Sequence, residues 1–549
     1  GYTESHRGTQ RYAEELIRTI NQGFIVIFLN MAGKPIKSCL YVAGILLLLF
    51  LAHSCHSPSG DNRYVSASGN DLNDGSRQRP FKTLVRATRE SLKPGSRILL
   101  NGGDVFGGNV VLEGDSGEAG HPVVISSYGN GMATINGGEG NGMVLNKCKN
   151  LILSNLVISG SGRLTNKEGS GVVVSQSGYI TLKDLETRGF QHAGVWIDGC
   201  DSVTVCRVHA RENGFTGLGT DHRNQTTRVV FRECLAENNP GHPGITGNHS
   251  GSGILLATVK NGLVEFCEAR FNGWDMPRLG NGPVGIWTWN SDSVVIQYCL
   301  SHHNKSPDMD GGGFDLDGGV TNSILQYNFS HHNAGAGYLV CQFGGAPRPL
   351  DGNHIRFNIS LDDGLGCHQA GIMIYVGGEW FRENYFYHNT IVNTFHSALN
   401  FDGVPLYLMD PPKLHFYNNL FVSGKDQIMN LQLLPETELV GNHYWAYGDG
   451  GFSIGGYRSF SEWSQKTGYE KSGDTIVGEY GNPLINCDYS CLPLHPGQLR
   501  QLTLFKPLEN SPLINHGVYL SGEMGVGDTT VDFFGKPFDK NDPFAGAGK

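Results

Sequence analysis

Between residues 171 and 402 the chain repeats one short alternation of apolar and polar positions nine times. The copies read GVVVS from Gly171, GVWID from Gly194, GLGTD from Gly217, GILLA from Gly253, GIWTW from Gly285, GFDLD from Gly313, GYLVC from Gly337, GIMIY from Gly371 and ALNFD from Ala398. The second residue is always apolar and the fourth is apolar or Thr. Side chains alternate across a strand, so the second and fourth positions face a core while the third and fifth face water. Successive copies start 23 to 36 residues apart. A constant strand joined by elastic connections predicts a solenoid of stacked parallel strands, with its insertions gathered on one side. A second strand follows each first one, from ITLKDLE to FYNNLFV. One position in it reads Asp184, Cys206, Cys234, Cys267, Cys299, Asn328, Asn358, Asn389 and Asn419. Like groups stacked at about 4.8 Å form side-chain ladders.

This arrangement resembles the right-handed parallel β-helix of the pectin-lyase-like superfamily, whose members carry asparagine ladders at such a bend. The resemblance covers residues 64–430. It implies an all-β fold, a right-handed single-stranded parallel β-helix with N-terminal and C-terminal caps, and a secreted carbohydrate-active protein. One fold hosts many chemistries, so the reaction must be read from particular residues. The stretch YVSASGNDLNDGSRQRPFKTLVRAT (64–88) is similar to the segment that covers the first rung in secreted β-helix proteins. FKPLENSPLINHG (505–517) and VDFFGKPFDKNDPFAGAGK (531–549) are similar to their C-terminal caps. Caps are a physical need, because an open terminal rung is an unpaired sheet edge. The expected organisation is an N-terminal cap with the first coils over 64–125, the β-helix over 126–430, and C-terminal coils with a cap over 431–549.

Residues 31–55 carry Lys34 and Lys37 ahead of an apolar run of 13 residues, 40–52. That run is too short to span a bilayer and has the form of a signal peptide. It ends at Ala52-His53-Ser54-Cys55, which resembles a bacterial lipobox with Cys55 as the lipidated residue; an ordinary cleaved signal peptide is the alternative. Residues 1–30 precede Met31 and read as an upstream extension, and 56–63 as a tether. The expectation is an exported lipoprotein, outer-membrane or periplasmic and open to the cell surface, a monomer touching the membrane only through its lipid. A formal charge of −10 without a basic run argues against nucleic acid as a partner. Of the 12 cysteines, Cys206, Cys234, Cys267 and Cys299 fit as small packing residues in one column. Cys487 and Cys491 are the candidate disulfide.

The outward positions carry the chemistry. Third positions are Val173, Trp196, Gly219, Leu255, Trp287, Asp315, Leu339, Met373 and Asn400; fifth positions are Ser175, Asp198, Asp221, Ala257, Trp289, Asp317, Cys341, Tyr375 and Asp402. Three tryptophans, one tyrosine and five aspartates on one face mark a binding surface. Flat rings suit the faces of pyranose sugars, and acids suit their hydroxyls. Rungs lie about 4.8 Å apart, which predicts Trp287 over Asp315 and Trp289 over Asp317. Alternate strand residues lie about 6.6 Å apart, and the two carboxyls fall within the range in which paired acids cleave glycosidic bonds. Crowding them beside indoles raises one pKa, giving an acid and a base.

The preceding loop, NKSPDMDGGGF (304–314), adds Asp308, Asp310 and three glycines that let backbone approach a ligand. Asp310, Asp315 and Asp317 are therefore candidate catalytic residues of a glycoside hydrolase that needs no cofactor. Trp196, Asp198, Asp221, Trp287, Trp289, Tyr375, Asn400, Asp402, Arg278 and His368 are the candidate contacts to a polysaccharide or oligosaccharide. Asp221 and Asp402 lie three rungs from Asp317 and suit outer subsites. Long loops over 236–252, 272–284 and 361–370 wall the cleft and carry His242, His249, Trp274, Asp275, Asp362 and Asp363. His249 and His368 are further candidates for a base. Acid-rich loops also bind calcium, and Asp310, Asp315 and Asp317 are the ligands of that alternative, a calcium-dependent lyase acting on uronates. Against it, no third or fifth position is Lys or Arg. The Asn-Thr-Asp and Asp-Asp motifs of polygalacturonase-type hydrolases are not matched by Gly219-Thr220-Asp221 and Asp362-Asp363. A non-catalytic glycan-binding lipoprotein is the remaining reading. His302-His303 and His331-His332 stack on consecutive rungs on the far side of the coil. A metal is not expected there, because adjacent residues on a strand or turn diverge.

Overall fold

Alternating apolar residues with a fixed 180° step give strands too short to stand alone, so each strand pairs in parallel with the one a full turn away. The computed structural model describes residues 61–549, apart from 368–369, 404–411, 425–426, 431–435, 449, 521–523, 525, 527–529 and 540–541. Cys55 and the signal-like segment therefore lie outside the described residues.

The first strands form one sheet of 12, running from Val110–Glu113 and Met143–Asn146 through the nine recognised copies to Met429–Asn430. Two turns thus precede the repeat read from sequence, and Gly142 opens one of them with the same pattern, GMVLN. Second and fourth positions point inward: Ile286, Thr288, Phe314 and Leu316 are fully buried. The N-terminal segment adds strand Asn62–Val65, paired with Arg97–Asn101, and a short helix, Leu84–Ala87, that buries Leu84 and Ala87. Cys487 is a free thiol, and the side chain of Cys491, the other half of the candidate disulfide, lies outside the described residues.

What turns each corner is a non-glycine residue in the left-handed conformation followed by a ladder residue. At the first corner the left-handed residues are Arg207, Glu233, Phe266, Tyr298, Tyr327, Phe357, His388 and Asn418, with φ between 51° and 58°. Each such residue costs about 1–2 kcal/mol locally. The residue after it supplies the compensation. Asn328, Asn358, Asn389, Asn419 and Asn442 pass amide hydrogen bonds of 2.9–3.1 Å from turn to turn, and Cys234, Cys267 and Cys299 extend the column downward. Asp184 and Cys206 are not in it. Leu185 stacks on Val208 and Lys183 on Cys206, so the ladder residues of those turns are Leu185 and Val208. The first members of the column are apolar and carry no polar signature, whereas Asp184 and Cys206 beside them do.

A second amide column, at the corner before the first strand, explains the leading glycine of the repeat. Asn213, Asn239, Asn272, Asn304 and Asn333 hand bonds of 2.9–3.1 Å along the stack. A β-carbon on Gly285 would lie 2.1 Å from Ser301 Oγ and 2.6 Å from Asn304 Nδ2. Only hydrogen fits beside the ladder.

Both columns end on a carboxyl. Asn333 Nδ2 donates to Asp363 at 2.8 Å, and Asn442 Nδ2 donates to Glu470 at 2.7 Å. Burial pushes each acid up to about 7 in spite of those bonds. The native state therefore holds protons that the unfolded chain, with ordinary carboxylate pKa values, has released. The stability this confers is full below pH ~4 and is lost as pH rises through about 7. Thermal melts from pH 4 to 8 should show that decline, and the paired variant D363N/E470Q should flatten it.

Candidate active site

Strand Ile286–Trp289 lies in parallel register with strand Phe314–Asp317, placing Trp287 against Asp315 and Trp289 against Asp317. The alternation that buries Phe314 and Leu316 leaves both acids on one side. That side is not open water, as the third positions led one to expect. Loops fold over it, leaving Asp315 only 3% and Trp287 only 4% exposed. The pocket they leave, still open to solvent on one side, has a volume of about 470 Å³. Its strand-borne walls are Trp287, Trp289, Asp315, Asp317, Leu339, Cys341, Met373, Tyr375 and Asp402. The loops contribute Asn248, His249, Asn281, Val284, Met309, Asp310 and Phe343. Among the described residues its lining includes no Lys or Arg.

Each wall is held from behind. Trp287 donates its indole N–H to Ser252 Oγ at 3.1 Å and meets the His249 ring edge-on at 4.9 Å. Asp310 reaches the pocket because Gly311 takes φ +73°, where a β-carbon would sit 2.7 Å from the Lys305 carbonyl carbon. One Asp310 carboxyl oxygen accepts from the Gly282 N–H at 2.7 Å, and its carbonyl accepts from the Cys367 thiol at 2.9 Å.

The acid pair is asymmetric. Asp317 Oδ1 accepts the Gly318 N–H at 2.7 Å, and the Cys341 thiol also bonds to this carboxyl. Burial still raises it to about 7, with the charge of Asp310 adding to the shift. Asp315 has no such help: its Oδ1 is buried without a partner. Burial first, then the charges of Asp317 and Asp310, drive its pKa well above the carboxylate range. Asp317 thus ionises first and its charge holds the proton on Asp315, the division that acid/base catalysis requires. His249 is neutral, since burial beside the Arg278 charge lowers it to about 4.

The other sequence candidates divide. Tyr375 and Asp402 line the pocket. Trp196 instead donates to Asp221 at 3.2 Å, and Asp221 is only 3% exposed and ion-paired with Arg223 at 2.9 Å, so neither is a free subsite. Asp198 accepts from Asn224 at 3.0 Å and Asn400 from Asn430 at 2.7 Å, both away from the pocket lining. Arg278 turns its Nε to the Leu279 carbonyl. His368 lies outside the described residues. His242 bonds to Glu168, Asp275 pairs with Arg163, and Asp362 accepts from Thr394, all structural contacts. Asn248, Asn281, Met309 and Phe343 escaped sequence reading because irregular loops carry no periodic signal. Cys341 was legible as the fifth position of its rung.

The family described as right handed beta helix region matches residues 105–251 and 244–421, more than half of the chain. The chain belongs to the right-handed β-helix family. The uncharacterized protein YwoF of Bacillus subtilis (strain 168) is 26% identical over 166 residues, 27% of this chain and 35% of that protein. The match thus spans about a third of that relative's length. Among solved structures, the GH136 lacto-N-biosidase from Eubacterium ramulus is 19% identical with a TM-score of 0.46, over 72% of this chain and 74% of that one. Pectate lyase Pel9A is 16% identical with a TM-score of 0.44, over 89% and 96%. Likeness at this level is too slight to carry a functional argument.

A buried carboxyl with an unpartnered oxygen destabilises the fold that holds it. Because the raised pKa of Asp315 favours the protonated form in the folded state, that burden grows as pH rises. D315N should therefore melt higher than the wild type at pH 8, with the gap narrowing at pH 5, as calorimetry would show.

Proposed function

We propose that this protein is a glycoside hydrolase acting on a neutral polysaccharide or oligosaccharide. In this reading protonated Asp315 gives its proton to the glycosidic oxygen. Ionised Asp317 serves the opposite side of the bond, as base for water or as nucleophile. Asp310 holds the pair's protonation through its charge. Trp289, Tyr375 and the edge of Trp287 hold sugar rings, and Asp402 meets hydroxyls at the rim. The observation that carries the reading is the aspartate pair, in register with the tryptophan pair, on the floor of a loop-walled pocket. A uronate would add negative charge to these acids with no described Lys or Arg in the lining to neutralise it, which weighs against the lyase. Calcium on Asp310, Asp315 and Asp317 would be needed to rescue that alternative. An exported, lipid-anchored monomer remains part of the proposal, supported by the apolar run and Cys55.

The test is reducing-end release from a panel of neutral and uronate glycans. Wild type should release products, and D317N should lose about 10²–10⁴ of the rate. Equal rates in the two would end the assignment. So would glycan binding with no product, or unsaturated product ends that vanish with chelator. For the wild type, kcat/KM should rise through pH ~7 as Asp317 ionises and fall at higher pH as Asp315 does; D317N should lack the rising limb.

A further inference from the structure

The two turns that bear the tryptophan and aspartate pairs also bear four histidines, at the corner beyond the last strand of each turn. Strand Leu300–His302 runs beside Phe329–His331, with His302 opposite His331. Consecutive side chains on an extended strand point apart, and on that ground the neighbouring pairs should diverge. They do not. His303 and His332 occupy the left-handed corner position, with φ 55° and 53°, and this folds each second ring back on the first. His302 Nδ1 lies 2.8 Å from His303 Nδ1, and His331 Nδ1 lies 3.0 Å from His332 Nδ1. Between turns the rings stack, His302 on His331 at 4.6 Å and His303 on His332 at 5.5 Å. One ring nitrogen from each of His302, His303 and His331 falls within 4.8 Å of the other two.

We propose that His302, His303 and His331, with solvent in the fourth position, form a zinc site that cross-links the two turns at the base of the loop carrying Asp310. An all-imidazole donor set suits zinc and excludes calcium, which takes oxygen ligands. A supporting carboxylate is in place: His302 Nε2 lies 3.2 Å from Glu268 Oε1, which Arg270 also holds at 2.8 Å. A carboxylate on the outer ring nitrogen fixes the tautomer that leaves Nδ1 as a lone pair. His331 is only 4% exposed, and its Nε2 has no partner. In each pair one Nδ1 now carries a hydrogen that the other accepts. On binding, that proton moves to the same ring's Nε2 in the His302/His303 pair, freeing both Nδ1 atoms for the ion. Zinc–nitrogen bonds of about 2.0–2.1 Å place ligand atoms about 3.3 Å apart, so binding requires the near-parallel rings of His302 and His331 to tilt toward each other and the His302/His303 pair to open slightly.

The experiment titrates the chelator-treated full chain with Zn²⁺ by calorimetry and with Co²⁺ by visible absorption, with Ca²⁺ as the control. One zinc per chain is expected, with a tetrahedral cobalt spectrum. H303A/H332A should lose both while keeping the wild-type circular dichroism, and E268Q should bind about 10–100-fold more weakly. The other cluster of this kind among the described residues, His443, Glu479 and His516, provides the counter-test. Zinc retained by H303A/H332A but lost by H516A overturns the proposal, as does folded wild type that binds no zinc.

Discussion

The structure depends on the left-handed corner. A parallel coil must reverse direction within one or two residues at each bend, and a non-glycine residue with φ near 54° does so at a local penalty. That penalty recurs on every turn and would unwind the coil if nothing opposed it. The opposing term is the amide column immediately after the bend, where each asparagine donates to the next turn and accepts from the previous one. Corner aromatics add to it, with Phe266, Tyr298, Tyr327 and Phe357 stacked at 4.9–5.5 Å. Strain and compensation sit on adjacent residues, so the rise per turn is set by hydrogen bonds and cannot drift.

A fixed rise gives the pocket its character. Two acids and two indoles are registered by backbone pairing, and the walls above them come from loops free to vary. The frame can therefore tolerate an unpaired carboxyl oxygen at Asp315 that a looser scaffold would relax away. The same corner geometry, repeated on the opposite side of the same turns, brings histidine rings together that an extended strand would separate.

Sequence alone made the coil legible because its rule is periodic. A five-residue alternation with a leading glycine needs only counting, and the pairing of Trp287 with Asp315 and of Trp289 with Asp317 followed from the rung spacing. Legibility stopped where the signal ceased to be periodic. Leu185 and Val208 continue the ladder column without a polar side chain, so the polar pattern points to neighbouring Asp184 and Cys206 instead. Asp221 looked like a subsite because its ion pair with Arg223, two residues along, leaves no mark in the repeat. Enclosure of the pocket was invisible, since it depends on how Asn248, Asn281 and Met309 fold over the strands. So was the convergence of His302 with His303, which hinges on one backbone angle.

The fit of Gly194, Gly217, Gly253, Gly285 and Gly313 against the neighbouring asparagines makes each of those turns a portable unit. A duplicated or transplanted turn brings its own notch and its own amide, and so docks on either neighbour without repacking. The column has a definite terminus, however. Asp363 has no amide hydrogens to pass onward, and the following turn is tied instead by Asn393 Nδ2 donating to the Asp363 backbone carbonyl at 2.8 Å. An added turn therefore keeps its amide bonds on the side before Asp363, while the turns already beyond it are joined without that side-chain column.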